Sequence, residues 1–303
     1  MTTGQAKDGQ VREGPRLRIG LPKGSLQETT QKLFGLAGYV VRFSGRSYYP
    51  SIDDPEIECI LIRPQEMARY VGQGVLDCGI TGLDWVIESG AEVEEVADLR
   101  APWPNFGPVR WILAVKDDSS FQTPKDLAGK RIATEVIGLT ERYLKRLGIE
   151  AQLEFSWGAT EVKPPVLADA IVDVTETGSS LRANQLRVID VLQESTPRLI
   201  AHPEALSDPW KQGKIERLRM LLMGAIAAAT RVGLSMNVPQ DRMDSVLALL
   251  PDKGRPTISP LADPSWVDVF VIVEESFVRD LLPRLHEAGA RGIVENPLNK
   301  IID

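Results

Sequence analysis

Histidine and cysteine are scarce in this sequence of 303 residues, which contains two of each. Cys59 and Cys78 do not form a C-x-x-C pair and both stand in apolar stretches, so we predict small buried thiols. His202 and His286 occur in unrelated contexts, which makes a histidine-based triad or a zinc site hard to assemble. Any metal is therefore expected to be a hard cation held by carboxylates and substrate phosphates.

The sequence also lacks long apolar runs and an excess of positive charge. No stretch reaches 18 consecutive apolar residues, so no membrane span is predicted. The 35 basic and 42 acidic residues give a net charge of −7, which argues against a nucleic-acid partner. Residues 1–15 are polar and have no apolar segment typical of a secretory signal. We predict a flexible tail there and residence in the cytoplasm.

Short apolar strands alternate with amphipathic helices along most of the chain, which is typical of an α/β fold with a mainly parallel sheet. The pattern breaks near Pro102–Asn105 and starts again at Val109. We predict a first lobe of residues 16–107 with 184–207, and a second lobe of residues 108–183. A helix over residues 208–229 then connects to a module of residues 230–303. The β-α-β-β-α-β order of that module predicts a ferredoxin-like arrangement.

The segment Ala168–Leu181 is the most informative for chemistry. An apolar strand with Asp169 and Asp173 on its shoulders runs into a Thr-Gly-Ser-Ser turn that opens a helix. Glycine allows close approach of the backbone, and free helix N–H groups and hydroxyls donate to phosphate oxygens. This pattern predicts an anion-binding turn of Thr177, Gly178, Ser179, Ser180 and Leu181. An ordinary capped turn beside a solvated acidic edge fits the pattern equally well.

Three loops in the first lobe each follow a strand directly, and they carry Lys23, Arg63 and Asp84. The carboxyl ends of parallel strands meet at one edge of a sheet, where ligands bind. Each residue alone is better explained as a solvated surface charge; their shared placement at equivalent strand ends favours a site. Glu161, shortly before the turn, is a candidate for contact with a ribose or base, or a loop acid that faces solvent.

These segments together resemble the ATP phosphoribosyltransferase family, a group of pentosyltransferases. The resemblance runs from Leu17 to Ile301 with order and spacing kept, and it rests on residues 21–24, 62–64, 77–84, 131–134 and 168–181. Residues 255–261 and 289–290 resemble the regulatory module of the long form. The resemblance implies a bilobed catalytic part like type II periplasmic binding proteins, followed by a ferredoxin-like regulatory domain.

The resemblance also implies a reaction and its partners. A phosphoribosyl group passes from phosphoribosyl pyrophosphate to ATP, with Mg²⁺ as cofactor, in the first step of histidine biosynthesis. Histidine is the implied feedback inhibitor, and the implied assembly is a homo-oligomer between dimer and hexamer. The implied catalytic residues are Lys23, Arg63, Asp84 and Asp169.

The remaining roles are carried over position by position. Asp84 and Asp169 would lie near magnesium and the pyrophosphate, while Thr177–Leu181 would hold the ribose-linked phosphate, with Glu161 and Asp173 as further substrate contacts. Asn237, Thr257 and Gly292 fall near the implied histidine pocket. Two departures stand out: Ser25 replaces a common arginine, and Val136-Ile137-Gly138 replaces a common Tyr-Pro-Asn run.

Two other readings remain open at this point. A solute-binding protein shares the bilobed architecture, but it would not need several phosphate-binding turns. A regulatory or ligand-sensing protein without catalysis would not need Lys23, Arg63, Asp84, Asp169 and the complete Thr177–Leu181 turn. No helix-turn-helix segment is apparent, which argues against a transcription factor.

Overall fold

The computed structural model describes residues 14–45, 47–251 and 255–302. Residues 1–13 of the predicted tail therefore lie outside the described residues. The first lobe contains a five-stranded sheet in the order β4-β1-β5-β12-β6, in which β4, β1 and β5 are parallel and β12 is antiparallel to both of its neighbours. Its chain segments before the crossing are β1 (Leu17–Pro22), α1 (Gln27–Ala37), β2 (Val41–Arg42), β3 (Ser51–Ile52), β4 (Ile57–Ile62), α2 (Pro64–Gly72), β5 (Cys78–Gly82), α3 (Leu83–Ser89) and β6 (Glu94–Asp98).

The second lobe contains a sheet in the order β11-β7-β10-β8-β9. Strands β10, β8 and β9 are parallel, whereas β7 runs antiparallel to both β10 and β11 because it brings the chain in from the first lobe. The elements are β7 (Val109–Lys116), β8 (Arg131–Thr134), α4 (Ile137–Leu147), β9 (Gln152–Phe155), β10 (Ala170–Thr175), α5 (Ser179–Ala183) and β11 (Leu186–Ser195). In each of the two sheets four of the five strands therefore run in the same direction, which agrees with the predicted mainly parallel sheet; the reversed strands are β12 in the first lobe and β7 in the second.

The structure moves one predicted boundary. Residues 184–207 were assigned to the first lobe, yet β11 pairs with β7 from Leu186 opposite Lys116 to Ser195 opposite Val109. The chain re-enters the first lobe only at β12 (Pro197–Ala201), which pairs with β5. The return crossing is therefore at Thr196, and the second lobe keeps β11.

Two further helices, α6 (Pro203–Ser207) and α7 (Pro209–Ala228), lead towards the C-terminal module. The side chain of Asp208 accepts hydrogen bonds from the N–H groups of Trp210 and Lys211, which fixes the start of α7. The buried stripe Ile215, Leu218 and Leu222 packs into the core of the first lobe. The predicted connector is therefore an integral part of that lobe.

The C-terminal module follows the order β13 (Arg231–Pro239), α8 (Met243–Leu247), β14 (Thr257–Pro260), β15 (Trp266–Glu274), α9 (Glu275–Glu287) and β16 (Arg291–Pro297). Its sheet has the order β14-β15-β13-β16, and all neighbouring strands are antiparallel. Alternate residues of β13 and β15 pack against α8 and α9 on one face.

Both cysteines are buried thiols, in agreement with the sequence analysis. Burial raises the pKa of Cys59 to about 12 and raises that of Cys78 as well. No helix within the described ranges has the length and apolar character that crossing a bilayer requires.

Candidate active site

A cavity of about 400 Å³ lies between the two lobes. The first lobe contributes the strand-end loops after β1, β4 and β5, and the second contributes the carboxyl ends of β8 and β10 together with β7 and the end of β11. The cavity has the size of a typical small-molecule site. Its charged and aromatic lining comprises Lys23, Arg63, Asp84, Trp85, Trp111, Glu135 and Glu176.

Lys23 and Arg63 bring two cations to the same side of this cleft. The N–H of Lys23 donates to the carbonyl of Ile62 at 2.8 Å, so the two loops are directly joined. Nζ of Lys23 donates to the hydroxyl of Tyr48 at 2.9 Å. That bond and the charge of Lys23, helped by Arg63, lower the pKa of Tyr48. This rim of the cleft is therefore suited to polyanions.

Asp84 lines the cleft, but its carboxylate is also held by the protein. The residue is 5% exposed. Oδ1 accepts a hydrogen bond from the N–H of Trp85 at 2.9 Å, and Oδ2 accepts one from Nε1 of Trp111 at 2.8 Å. Trp111 belongs to the second lobe, so Asp84 links the lobes at the floor of the cleft.

Asp169 does not lie at the site, which corrects its predicted catalytic and metal-binding roles. It precedes β10, whereas the cleft and the anion-binding turn lie after that strand. A six-residue strand spans roughly 20 Å. Oδ2 of Asp169 accepts a hydrogen bond from the N–H of Arg131 at 2.8 Å, at the start of β8. The carboxylate thus joins the amino ends of two strands.

The predicted magnesium pair, Asp84 with Asp169, is consequently not assembled. Within the described residues, no group of three or more histidine, cysteine or acidic side chains has a geometry suited to a metal ion. Glu135 and Glu176 line the cleft with Asp84. Magnesium needs only one or two carboxylates when substrate phosphates and water complete its shell. The residues therefore fit a cation that arrives with a polyanionic substrate.

The Thr177–Leu181 turn follows β10 directly and is next in the chain to Val174, Thr175 and Glu176, which line the cavity. Gly178 has φ +72°, and its N–H donates to Oγ1 of Thr175 at 2.8 Å. Among the described residues nothing accepts the N–H groups of Ser179, Ser180 and Leu181, the first turn of α5. The Leu181 side chain is buried in the lobe core, so only its backbone can serve a ligand.

Glu161 and Asp173 are not among the residues that line the cavity. Burial and the charge of Glu161 raise the pKa of Asp173 to about 6, although the N–H of Val174 donates to it at 2.8 Å. Burial, together with the carboxylates of Asp173, Asp84 and Glu88, raises the pKa of Glu135. An acidic region thus extends from the cleft into the second lobe.

Two of the three predicted effector residues are brought together. Gly292 has φ +57°, and a Cβ atom there would lie 3.4 Å from Nδ2 of Asn237. Thr257 is on the opposite edge strand β14, separated from β13 by β15. Within one chain the structure therefore pairs Asn237 with Gly292 and leaves Thr257 apart.

Several residues of the cleft were missed by the sequence analysis. Glu135 directly follows β8 and could have been found by the strand-end rule that identified Arg63. Trp85 was overlooked beside Asp84, while Ser195 had no signal because β11 was not recognised. Val136, one of the family departures, is fully buried and packs in the core of the second lobe.

Comparison with known proteins adds family relationships to this geometry. Residues 63–224 match the family model described as ATP phosphoribosyltransferase, and residues 228–300 match the model described as HisG, C-terminal domain. The ATP phosphoribosyltransferase of Solibacter usitatus is 57% identical over 94% of this chain and 99% of its own. That of Thermodesulfovibrio yellowstonii is 57% identical over 94% of this chain and 98% of its own.

A solved structure is similar as well. It is described as the ATP phosphoribosyl transferase (HisG:HisZ) complex from Thermotoga maritima, and the matching chain shares 26% identity with a TM-score of 0.58. The alignment covers 68% of this chain and 98% of that one.

Proposed function

This chain belongs to the ATP phosphoribosyltransferase family, and from that premise we propose that its interlobe cleft binds both substrates of the family reaction. The enzyme transfers a phosphoribosyl group from phosphoribosyl pyrophosphate to ATP, which releases pyrophosphate and begins histidine biosynthesis. A bond forms between an adenine ring nitrogen and the anomeric carbon of the ribosyl group. The bond from that carbon to pyrophosphate breaks, and the leaving group keeps the electron pair.

One observation supports the proposal most directly. Lys23 and Arg63 form a cationic rim on the first lobe, and the strand end that leads into the Thr177–Leu181 turn lies on the other side of the same cavity. Unbonded N–H groups at the start of a helix favour a phosphate. We assign the ribose-linked phosphate to this turn and the phosphates of the pyrophosphate and ATP to the two cations.

The reaction needs positioning more than proton transfer. The attacking adenine nitrogen is already a neutral nucleophile, so no strong general base is required, which agrees with a cleft without histidine in its lining. Holding two polyanions in register and stabilising the departing charge are the main demands. Magnesium, when bound with substrate, would neutralise charge on phosphate oxygens. Asp84, with Glu135 or Glu176, is the set of side chains available to hold it.

We further propose a regulatory role for the C-terminal module. Its strand order and alternating helices support a ferredoxin-like fold, and Asn237 beside Gly292 is the assigned part of a histidine pocket. Feedback inhibition by histidine, a homo-oligomer between dimer and hexamer, and residence in the cytoplasm complete the proposal. In the full chain, Asn237→Ala should weaken histidine inhibition at least tenfold with an unchanged uninhibited rate. Equal inhibition of parent and variant would remove Asn237 from the pocket.

The decisive test of the catalytic assignment is formation of phosphoribosyl-ATP. The purified full chain is incubated with ATP, phosphoribosyl pyrophosphate and Mg²⁺, and product absorbance and pyrophosphate release are followed together. Both signals should appear in equal amounts and should stop when either substrate is omitted. Tight binding of the substrates without either product would favour the alternative, a small-molecule binding or regulatory protein on the same bilobed fold.

A further inference from the structure

The C-terminal end of α3 in the first lobe meets the N-terminal end of α4 in the second. Oε1 of Glu88 accepts a hydrogen bond from the N–H of Gly138 at 3.0 Å, and Oε2 accepts one from Leu139 at 2.7 Å. These N–H groups belong to the first turn of α4, whose own N-cap residue, Val136, supplies no side-chain bond. Glu88 therefore caps a helix of the other lobe.

Arg142 makes the reverse contact. Its guanidinium donates to the carbonyl of Ile87 and, at 3.2 Å, to the carbonyl of Glu88, in the last turn of α3. A carboxylate thus meets the positive end of one helix dipole, and a guanidinium meets the negative end of the other. The guanidinium is bonded to main-chain oxygens and not to the Glu88 carboxylate, so the two contacts are separate.

The sequence at this junction permits the close approach. A Cβ atom at Gly138 would lie 2.9 Å from the carbonyl oxygen of Glu88, closer than side-chain carbons pack against backbone. We call Glu88, Gly138 and Arg142 the interlobe clasp. Glycine at this position is therefore a requirement of the clasp and not of the helix, in which glycine is unfavourable.

The clasp is coupled to the cleft from both sides. Asp84 and Trp85, in the first turn of α3, line the cavity, and α4 begins just after Glu135, which lines it too. The indoles of Trp85 and Trp111 also meet edge to face between the lobes, with centroids 6.0 Å apart. A shift at the clasp would therefore move cleft residues of both lobes relative to each other.

We propose that Glu88 and Arg142 are positioning residues that set the separation of the lobes, and with it the distance between the Lys23–Arg63 rim and the Thr177–Leu181 turn. This inference rests on the proposed function, because the proposed function assigns the two polyanionic substrates to opposite walls of the cleft. Neither residue touches the reacting atoms. Glu88 and Arg142 act by raising the fraction of molecules in which both walls of the cleft can bind their polyanions at once. The apparent affinity for each substrate is proportional to that fraction.

Steady-state kinetics of the full chain test the proposal. Glu88→Gln and Arg142→Met should each raise KM for both substrates about tenfold, because fewer molecules hold the binding-competent spacing, while kcat at saturation stays within about twofold. Matched controls are Glu141→Gln and Lys145→Met, which change exposed charges on α4, the helix that carries Arg142. The controls should keep parental constants. Unchanged KM in the clasp variants, with an active parent, would overturn the proposal.

Two further measurements separate this proposal from a general loss of stability and from failure of the proposed function. Small-angle scattering of the substrate-free chain should give a larger radius of gyration for the clasp variants, and saturating substrates should restore the parental value. This readout applies even if the parent proves inactive. The charge-swapped double variant Glu88→Arg/Arg142→Glu should be worse than either single variant, because each charge would then face the wrong helix end. Recovery in the swap would indicate an ordinary ion pair and overturn the proposal.

Discussion

The indole N–H of Trp111 in the second lobe donates a 2.8 Å hydrogen bond to the carboxylate of Asp84 in the first. Both residues are buried, and both line the cleft. One side chain therefore serves two purposes: it joins the lobes and it presents negative charge to the cavity. The two purposes depend on different properties of the carboxylate: the first on its acceptor oxygens and the second on its charge.

Asp84→Asn should affect both stability and turnover. The N–H groups of Trp85 and Trp111 donate to different carboxylate oxygens, and in asparagine one of these becomes an NH2 group that cannot accept, so one donor loses its partner at a cost of about 1–3 kcal/mol. Urea unfolding measures that cost. Trp111→Phe removes the indole donor. The double variant Asp84→Asn/Trp111→Phe should therefore lose less free energy of unfolding than the sum of the losses in the two single variants. Additive costs would mean that the bond contributes little.

Gly178→Ala tests the anion-binding turn. Alanine at φ +72° costs roughly 1–2 kcal/mol, and its Cβ would lie 3.3 Å from Nη1 of Arg182. The displaced turn should raise KM for phosphoribosyl pyrophosphate at least tenfold. Gly129→Ala is the matched control, since its φ of +71° imposes the same strain in open space. Equal KM values in the two variants would mean that the turn does not bind phosphoribosyl pyrophosphate.

Lys23→Met should change the titration of Tyr48. The Lys23 ammonium lowers the pKa of this phenol by a hydrogen bond and by its charge, so its removal should raise the pKa towards the ordinary value. Ultraviolet absorbance of the phenolate follows the change, and Tyr48→Phe identifies the transition among the five tyrosines. Phosphoribosyl pyrophosphate should shift the parent in the same direction, because its phosphates disfavour the phenolate. A titration unchanged by Lys23→Met would mean that the contact does not persist in solution.

Local signals in the sequence predicted many elements correctly because each has a short-range physical cause. Pro64 stands at the first position of α2, and Gly38 ends α1 in the left-handed conformation. The sequence from Thr123 to Asp126 has the pattern of a capping box, and the Asp126 carboxylate accepts a hydrogen bond from the N–H of Thr123 at 2.8 Å. In contrast, β11 was missed, since register shifts after Val188 and Val191 interrupt its alternation of inward and outward residues.

The site was predictable where strand ends determine it and not where folding brings distant segments together. Lys23, Arg63 and Asp84 were found because each follows a parallel strand. The hydrogen bond from Trp111 to Asp84 and the bonds of Glu88 to α4 connect residues 27 and about 50 positions apart, and no local pattern indicates them. The prediction for Asp169 was wrong because the residues before and after β10 lie at opposite ends of that strand, although they are close in the sequence.

Asp169→Asn separates the sequence-based role from the structural one. The Asp169 carboxylate accepts a hydrogen bond from the N–H of Arg131, so the substitution should lower the free energy of unfolding by about 1 kcal/mol. It should leave kcat and KM within about twofold of the parental values. Thermal unfolding and steady-state kinetics measure the two effects. A large loss of turnover in a folded variant would support a role for Asp169 in magnesium binding and would contradict its position at the amino end of β10.

Asp173 should make stability depend on pH. Burial and Glu161 raise its pKa to about 6, whereas an unfolded aspartate titrates near pH 4, so the native state binds more protons between these values. Ionised Asp173 therefore lowers the free energy of unfolding. This destabilisation is absent below about pH 4, grows as the pH rises, and is complete above about pH 6. Asp173→Asn should therefore stabilise the protein by roughly 1–2 kcal/mol at pH 7.5, allowing for partial solvent screening, and by much less at pH 4. Urea unfolding of parent and variant at both pH values measures the difference. If that difference were the same at pH 4 and 7.5, the carboxylate would have to be ionised without penalty beside Glu161.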